Sequence, residues 1–276
     1  MKYFFLATFC QFFAFSVFAT ILTTQIHSID HGKNGEKHLV MFTDGHTGFV
    51  ESASKPLIEA VEESLQNGDT VEITLDRHLN LRSIQIVVPE RDEPRVPINP
   101  GEMISYEPSV ISMSTAMTVF RNMRRDYQNQ SQCYNRAHIW TYEEFQRSAL
   151  KSNKLFLFFT SRYIRKYNYK WWFHVTPMVL VGGTSESHFR TLDRRYTKGP
   201  LTTKTWTNVF MLNNALCPIV YAYSRYRNHQ QEKDCYLIPT SMYFWQPRDI
   251  QRKENTGYEK TQYYTSETNH AYWEAF

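Results

Sequence analysis

The sequence predicts an α+β protein in which a small mixed unit precedes a larger, aromatic-rich one. Three observations carry this. Helical and strand periodicities alternate over residues 38–88, prolines crowd positions 89–108, and a cysteine-bearing helix near residue 133 is followed by segments of strand character. Hydrophobic residues make up 42% of the 276-residue chain and charged residues 21%, so a packed core is expected rather than disorder. The 31 basic and 27 acidic side chains leave a charge of only +4, with no Lys/Arg stripe. Nucleic acid is therefore not an expected partner.

At the start, Met1-Lys2 precedes a mainly apolar run over 3–18 that is broken by Thr8, Gln11 and Ser16. Val17-Phe18-Ala19 then offers small residues at −3 and −1, the pattern of an export signal cleaved after Ala19. The run falls short of the ~20 residues a membrane span needs, so residues 1–19 are expected to be a leader and the mature chain to be exported without stable membrane insertion.

Residues 20–37 are polar, contain Gly32 and Gly35, and are expected to be loosely ordered. A short strand is expected over 38–43. Ser54 can cap a helix with Pro56 in its first turn, Leu57, Ile58, Val61 and Leu65 on one face, and Gly68 as its stop. Period-two alternation over 70–76 and 81–88 predicts a hairpin. Pro89, Pro94, Pro97, Pro100 and Pro108 then mark a linker, which delimits a first unit of residues 20–105 from a second of 106–276.

In the second unit a helix is expected from Met113 to about Asp126, and another from Cys133, with Tyr134, Ala137, His138, Thr141 and Phe145 at helical spacing. Residues 155–164, 170–181 and 187–194 read as strands, 203–212 as a helix and 236–245 as a strand. A cysteine-bearing helix followed by an antiparallel sheet is the order of papain-like and transglutaminase-like cores.

With Cys10 in the leader, Cys133, Cys217 and Cys235 remain, an odd number for an exported chain. Cys217 and Cys235 are close in sequence around a polar loop, and a bridge there would contribute roughly 3 kcal/mol. Cys133 is then the free thiol. At a helix start, with Ser131 as a possible cap, the dipole favours its thiolate and the open amides can hold an oxyanion. A lone cysteine is more often just a buried side chain; its partners decide the matter. A hairpin turning between Gly183 and Thr184 would set His174 directly opposite Asp193, with Cβ atoms ~5 Å apart. That lets a carboxylate hold one imidazole nitrogen while the other faces the thiol. His188 and Asp126 are weaker substitutes. His27, His31, His38 and His46 lack the spacing of a metal site and read as surface residues, and Asn129-Gln-Ser131, although a glycosylation pattern, reads as helix entry.

Cys133-Tyr-Asn-Arg-Ala-His138, Trp171-Trp-Phe-His-Val-Thr-Pro177, Leu192-Asp-Arg-Arg195 with Pro200 and Trp206, and Met242-Tyr-Phe-Trp-Gln-Pro247 together resemble the bacterial protein-glutaminase family over roughly residues 106–250. The resemblance implies a transglutaminase-like fold that deamidates protein-bound glutamine without cofactor or metal. Cys133 would be the nucleophile, His174 the base and acid, and Asp193 the orienting carboxylate. Its partners would be proteins or peptides with exposed glutamine. Family members are exported, and the best-known kind carries an inhibitory pro-region. Transglutaminase, cysteine protease, or an inactive secreted binding protein are the alternatives the residues leave open.

Overall fold

The computed structural model describes residues 19–33, 35–88, 106–128, 132–256 and 264–276. The expected leader (but for Ala19), the bulk of the proline-rich stretch and the expected Ser131 cap lie outside the described residues. Among those described, helices are combined with two mainly antiparallel sheets.

The first sheet is built from β1 (Thr20–Asp30), β2 (His38–Phe42), β3 (Thr47–Val50), β4 (Thr70–Leu75) and β5 (Leu81–Ile86), in the order β3-β2-β1-β4-β5. The segment expected to be loose is thus its central strand. β1 pairs with β4 through Thr20–Gln25 and with β2 through Ile26–Asp30. Its polarity hid it, because Ile26 is the one apolar side chain that β1 buries fully and long-range backbone pairing holds the rest. Helix α1 (Lys55–Asn67) lays Val61, with Leu57, Ile58 and Leu65, onto a core of Val40, Phe42, Val50, Val71, Ile73 and Leu75. It ends at Gly68, whose φ of 71° is left-handed. Ser54 occupies the N-cap position, but its side chain makes no capping bond because its backbone (φ −87°, ψ 61°) is not extended.

In the second sheet, β6 (Val110–Ile111), β7 (Asn153–Phe159), β8 (Phe173–Val181) and β10 (Cys235–Ser241) run in the order β10-β7-β8-β6, and β9 (Phe189–Thr191) also pairs with β8. Helix α2 (Met113–Asn122) stops short of Asp126. Its first turn is capped by Ser112, whose hydroxyl accepts from the Thr115 amide. Helix α3 (Cys133–Ser148) starts where expected and packs on β8.

The strand expected over 155–164 ends at Phe159. Thr160 turns extended and caps α4 (Ser161–Tyr167) by accepting from the Tyr163 amide, a chain reversal that an aromatic-rich run conceals. A 3-10 turn at Glu186–His188 sits between β8 and β9, so the connection is longer than a Gly-Gly hairpin and the third strand is only three residues long. Helix α5 (Thr203–Phe210) matches its expected place. Helices α6 (Tyr223–Asn228), α7 (Pro247–Thr256) and α8 (Tyr264–Ala275) have no counterpart in the sequence pattern, and β10 ends at Ser241 rather than 245.

Cys217 and Cys235 are disulfide-bonded and Cys133 is free. The bridge ties the loop before α6 to the first residue of β10.

The first sheet meets the second at the turn between β2 and β3. Trp172 donates its amide to Gly45 O (3.0 Å) and its indole N–H to Phe42 O (2.7 Å). The Thr47 hydroxyl donates to Tyr169 O at 2.6 Å. Gly45 needs its positive φ of 96°, and a Cβ there would press on the Phe173 ring at 3.2 Å. Leu39, Met41 and Phe49 join the larger core. His27 is not a surface residue. It stacks on Trp172 at 4.4 Å, and its Nε2 lies 3.2 Å from the Tyr223 hydroxyl.

Candidate active site

Cys133 is the first residue of α3, half-buried, and follows Gln132, whose extended backbone starts the helix and whose side chain makes no capping bond. The residues after it explain why the helix begins there. Asn135 is fully buried, accepts from the Trp245 indole (2.9 Å) and donates to Glu274 (2.6 Å). Tyr134 donates to the same Glu274 carboxylate at 3.2 Å. One turn further, His138 Nδ1 takes a 2.6 Å bond from the buried Lys154 ammonium, which also donates to Phe244 O at 2.7 Å. The Cys-Tyr-Asn-Arg-Ala-His and Met-Tyr-Phe-Trp segments are thus two halves of one buried polar anchor. It fixes the start of α3 in place.

His174 lies in β8, level with Leu157 of β7, and is 3% exposed. Its Nε2 is 2.7 Å from Asp193 Oδ2, and Asp193 is 1% exposed. The register differs from the expected one. β9 pairs Met178 with Thr191 and Leu180 with Phe189, which puts Asp193 level with Thr176 rather than His174. The displacement is by two residues, and because side chains alternate with period two the carboxylate stays on the imidazole's face. Asp193 also sits past the end of β9, in a turn where its carbonyl accepts from the amides of Tyr196 (3.1 Å) and Thr197 (2.9 Å). A second donor, the Trp206 indole of α5, reaches Asp193 Oδ2 at 2.9 Å.

With Nε2 committed to the carboxylate, Nδ1 is left for the thiol of Cys133, which lines the same cavity as the ring. Burial disfavours the imidazolium, but the charge and hydrogen bond of Asp193, helped by Cys133, outweigh it and push the His174 pKa up to about 9. Aromatic rings enclose the imidazole: Phe210 at 4.3 Å, Tyr196 at 5.3 Å, Trp206 at 5.8 Å and Trp171 stacked at 6.2 Å.

Cys133 and His174 open onto a cavity of about 560 Å³ whose further walls include Arg136, Trp171 and Tyr196. The remaining wall comes from the first sheet: Thr20, Ile21, Leu22 and Thr23 of β1, and the Asp44-Gly45-His46 turn. His46 is therefore also not a plain surface residue; its Nδ1 bonds Asp44 at 2.9 Å on this wall. Of the aromatic cluster, Phe156, Phe158, Phe159 and Trp172 are core.

The substitutes play no part. His188 bonds Ser185 in an exposed turn, and Asp126 pairs with Arg124. Among the described residues no cluster of three or more His, Cys, Asp or Glu could hold a metal ion. Sequence reasoning missed the Trp206–Asp193 bond, for which Trp206 gave no signal beyond its place in the family pattern. It also missed the wall formed by β1.

Residues 110–210 match a family model described as glutaminase, a segment that contains Cys133, His174, Asp193 and Trp206. The resemblance to protein glutaminases is borne out over that stretch. No curated protein matches the sequence. The fold is similar to a crystal structure of a mutant pro-protein-glutaminase, with a TM-score of 0.50 at 15% identity over 81% of this chain and 83% of that one. Another pro-protein-glutaminase crystal structure aligns at TM-score 0.45 and 17% identity, over 81% and 83% of the two chains. The NMR structure of protein-glutaminase from Chryseobacterium proteolyticum aligns at TM-score 0.34 and 17% identity, over 50% of this chain and 77% of that one.

Proposed function

We propose that the chain is an exported protein glutaminase that hydrolyses the side-chain amide of protein-bound glutamine on a transglutaminase-like core. One observation carries the reading. A buried imidazole has Nε2 on the Asp193 carboxylate and shares a cavity with a free thiol at the first residue of a helix. The Cys133 thiolate, paired with the His174 imidazolium, attacks the carboxamide carbon, and the C–S bond forms as the carbonyl electrons move to oxygen. Open amides of the first turn of α3 stabilise that oxyanion. His174 passes its proton to the nitrogen, the C–N bond breaks and ammonia leaves. Neutral His174 then takes a proton from water, hydroxide adds to the γ-glutamyl thioester, and collapse releases glutamate and regenerates the ion pair. Only the chain's own side chains and water take part. The Cys217–Cys235 bridge supports an oxidising compartment. No described helix is long and apolar enough to cross a membrane.

Residues 20 to about 105 act, on the same reading, as an inhibitory pro-region. Support comes from β1 and the Asp44–His46 turn walling the cavity of Cys133, and from the likeness to a structure of a pro-form. Incubation with casein, measuring free ammonia, crosslinks and fragments, tests the reaction: ammonia without the other two is expected, and crosslinks or fragments in its place would overturn it. Limited proteolysis between residues 89 and 108 should raise ammonia release several-fold, and adding back the isolated first unit should lower it. Equal activity before and after trimming would make the unit a stabilising domain.

A further inference from the structure

Asp193 Oδ2 accepts two hydrogen bonds, from His174 Nε2 at 2.7 Å and from the Trp206 indole N–H at 2.9 Å. We propose that Trp206 is a positioning residue of the site: its indole N–H fixes the carboxylate oxygen that orients the His174 imidazole. The inference rests on the proposed Cys133–His174–Asp193 reading.

The packing around Asp193 leaves room for an anchor of this kind. Asp193 lies beyond the end of β9, and its backbone is held by the Leu192 amide on Pro177 O of β8 and by the turn to Thr197, neither of which fixes its side chain. Its side chain could rotate within that turn, and rotation would carry Oδ2 away from the imidazole. Trp206 removes that freedom because the indole itself is immobile. It is fully buried, packs on Phe210 at 5.6 Å, and lies in α5, whose first turn is capped by the Thr202 hydroxyl accepting from the Thr205 amide. A bicyclic ring held on all sides is a stiffer donor than a hydroxyl or an amide side chain. The same ring lies 5.8 Å from the imidazole, so it limits both members of the pair.

The bond also has an electrostatic consequence. A donor on the oxygen that faces His174 draws charge from it, and so weakens the hold of the carboxylate on the imidazolium proton. Cys133 and Arg136 from α3, Lys170 before β8, Asp44 and His46 from the β2–β3 turn, and Arg195 and Tyr196 after Asp193 share the cavity with that imidazole. They are unchanged in an indole variant, so a difference in pH profile reports the lost N–H.

Trp206→Phe removes the donor, and replacing Trp206 with β-(3-benzothienyl)alanine removes it while keeping the bicyclic shape, which separates the bond from the packing. Both should lower kcat for ammonia release about ten- to a hundredfold with KM within about twofold. Both should also move the alkaline limb of the pH profile upward, for ammonia release and for alkylation of Cys133 by iodoacetamide. Alkylation needs no glutamine substrate. A wild-type protein that releases no ammonia, with both variants still showing the shifted alkylation limb relative to it, would sink the glutaminase reading and leave the positioning role standing. A folded benzothienyl variant with wild-type kcat and an unmoved alkylation limb would overturn the positioning role itself. So would a Phe variant that merely loses thermal stability while the benzothienyl variant behaves as wild type.

Discussion

Replacing Asp193 with Asn removes the charge that raises the His174 pKa while leaving the shape of the side chain. The rise from 6.5 to about 9 corresponds to a preference for the imidazolium on the order of 3 kcal/mol. Without the carboxylate, burial disfavours the imidazolium and only Cys133 still favours it, so most of that preference is lost. The geometry should otherwise survive, because the oxygen of the introduced amide can take the place of Oδ2 and accept from both Trp206 and His174. The tautomer with the proton on Nε2 is then kept, and the expected loss in ammonia release is about a hundredfold, the kinetic equivalent of that free energy. An inverted tautomer, as in serine triads, would cost up to ~10⁴.

Stability gives an independent measure. A folded-state pKa above the unfolded value stabilises fully below about pH 6.5, and that contribution is lost as pH rises through about 9. Urea unfolding of the wild type at pH 6 and pH 9.5 should show that loss, and Asp193→Asn should flatten it. Ammonia release within tenfold of wild type, together with an unchanged pH slope of stability, would refute the role of the carboxylate. A loss near ~10⁴ would instead refute the idea that the indole keeps the amide oxygen in place.

Cys133→Ala should abolish ammonia release with little change in melting temperature, because the half-buried thiol contributes little to packing; retained activity would remove it from the mechanism. His27 has its pKa lowered to about 4 by burial, with Arg248 adding to the effect, so protonation between pH 6.5 and 4 opposes the folded state. His27→Gln should reduce the loss of urea stability across that window, and an identical acid profile would show that the ring is not responsible. Removing the Cys217–Cys235 bridge by paired Ala substitution should cost roughly 3 kcal/mol from its 18-residue separation, read as a shift in urea midpoint. Non-reducing peptide mapping that finds Cys133 in a bridge would contradict its role as nucleophile.

What the sequence determined by itself was local or chemical. Helix α3 was legible because Cys133, Tyr134, Ala137 and His138 recur at helical spacing, α1 because of its Pro start and Gly stop, and the β4–β5 hairpin because of its alternation. The pair His174 and Asp193 was legible for a similar reason: strand parity survives a register error of two, so a wrong turn still put both side chains on one face. Tertiary structure decided the rest. β1 is a central strand because β2 and β4 pair with its backbone on both sides, a long-range condition that its Thr-rich composition does not announce. Thr160 ends β7 because it caps a helix, although Phe156, Phe158 and Phe159 before it read as a longer strand. The bond from Trp206 to Asp193 depends on α5 folding back over β9, and the cavity wall depends on the first sheet docking beside Trp172. Periodicity records which face of an element is apolar, and it carries no information on which distant donor meets which acceptor.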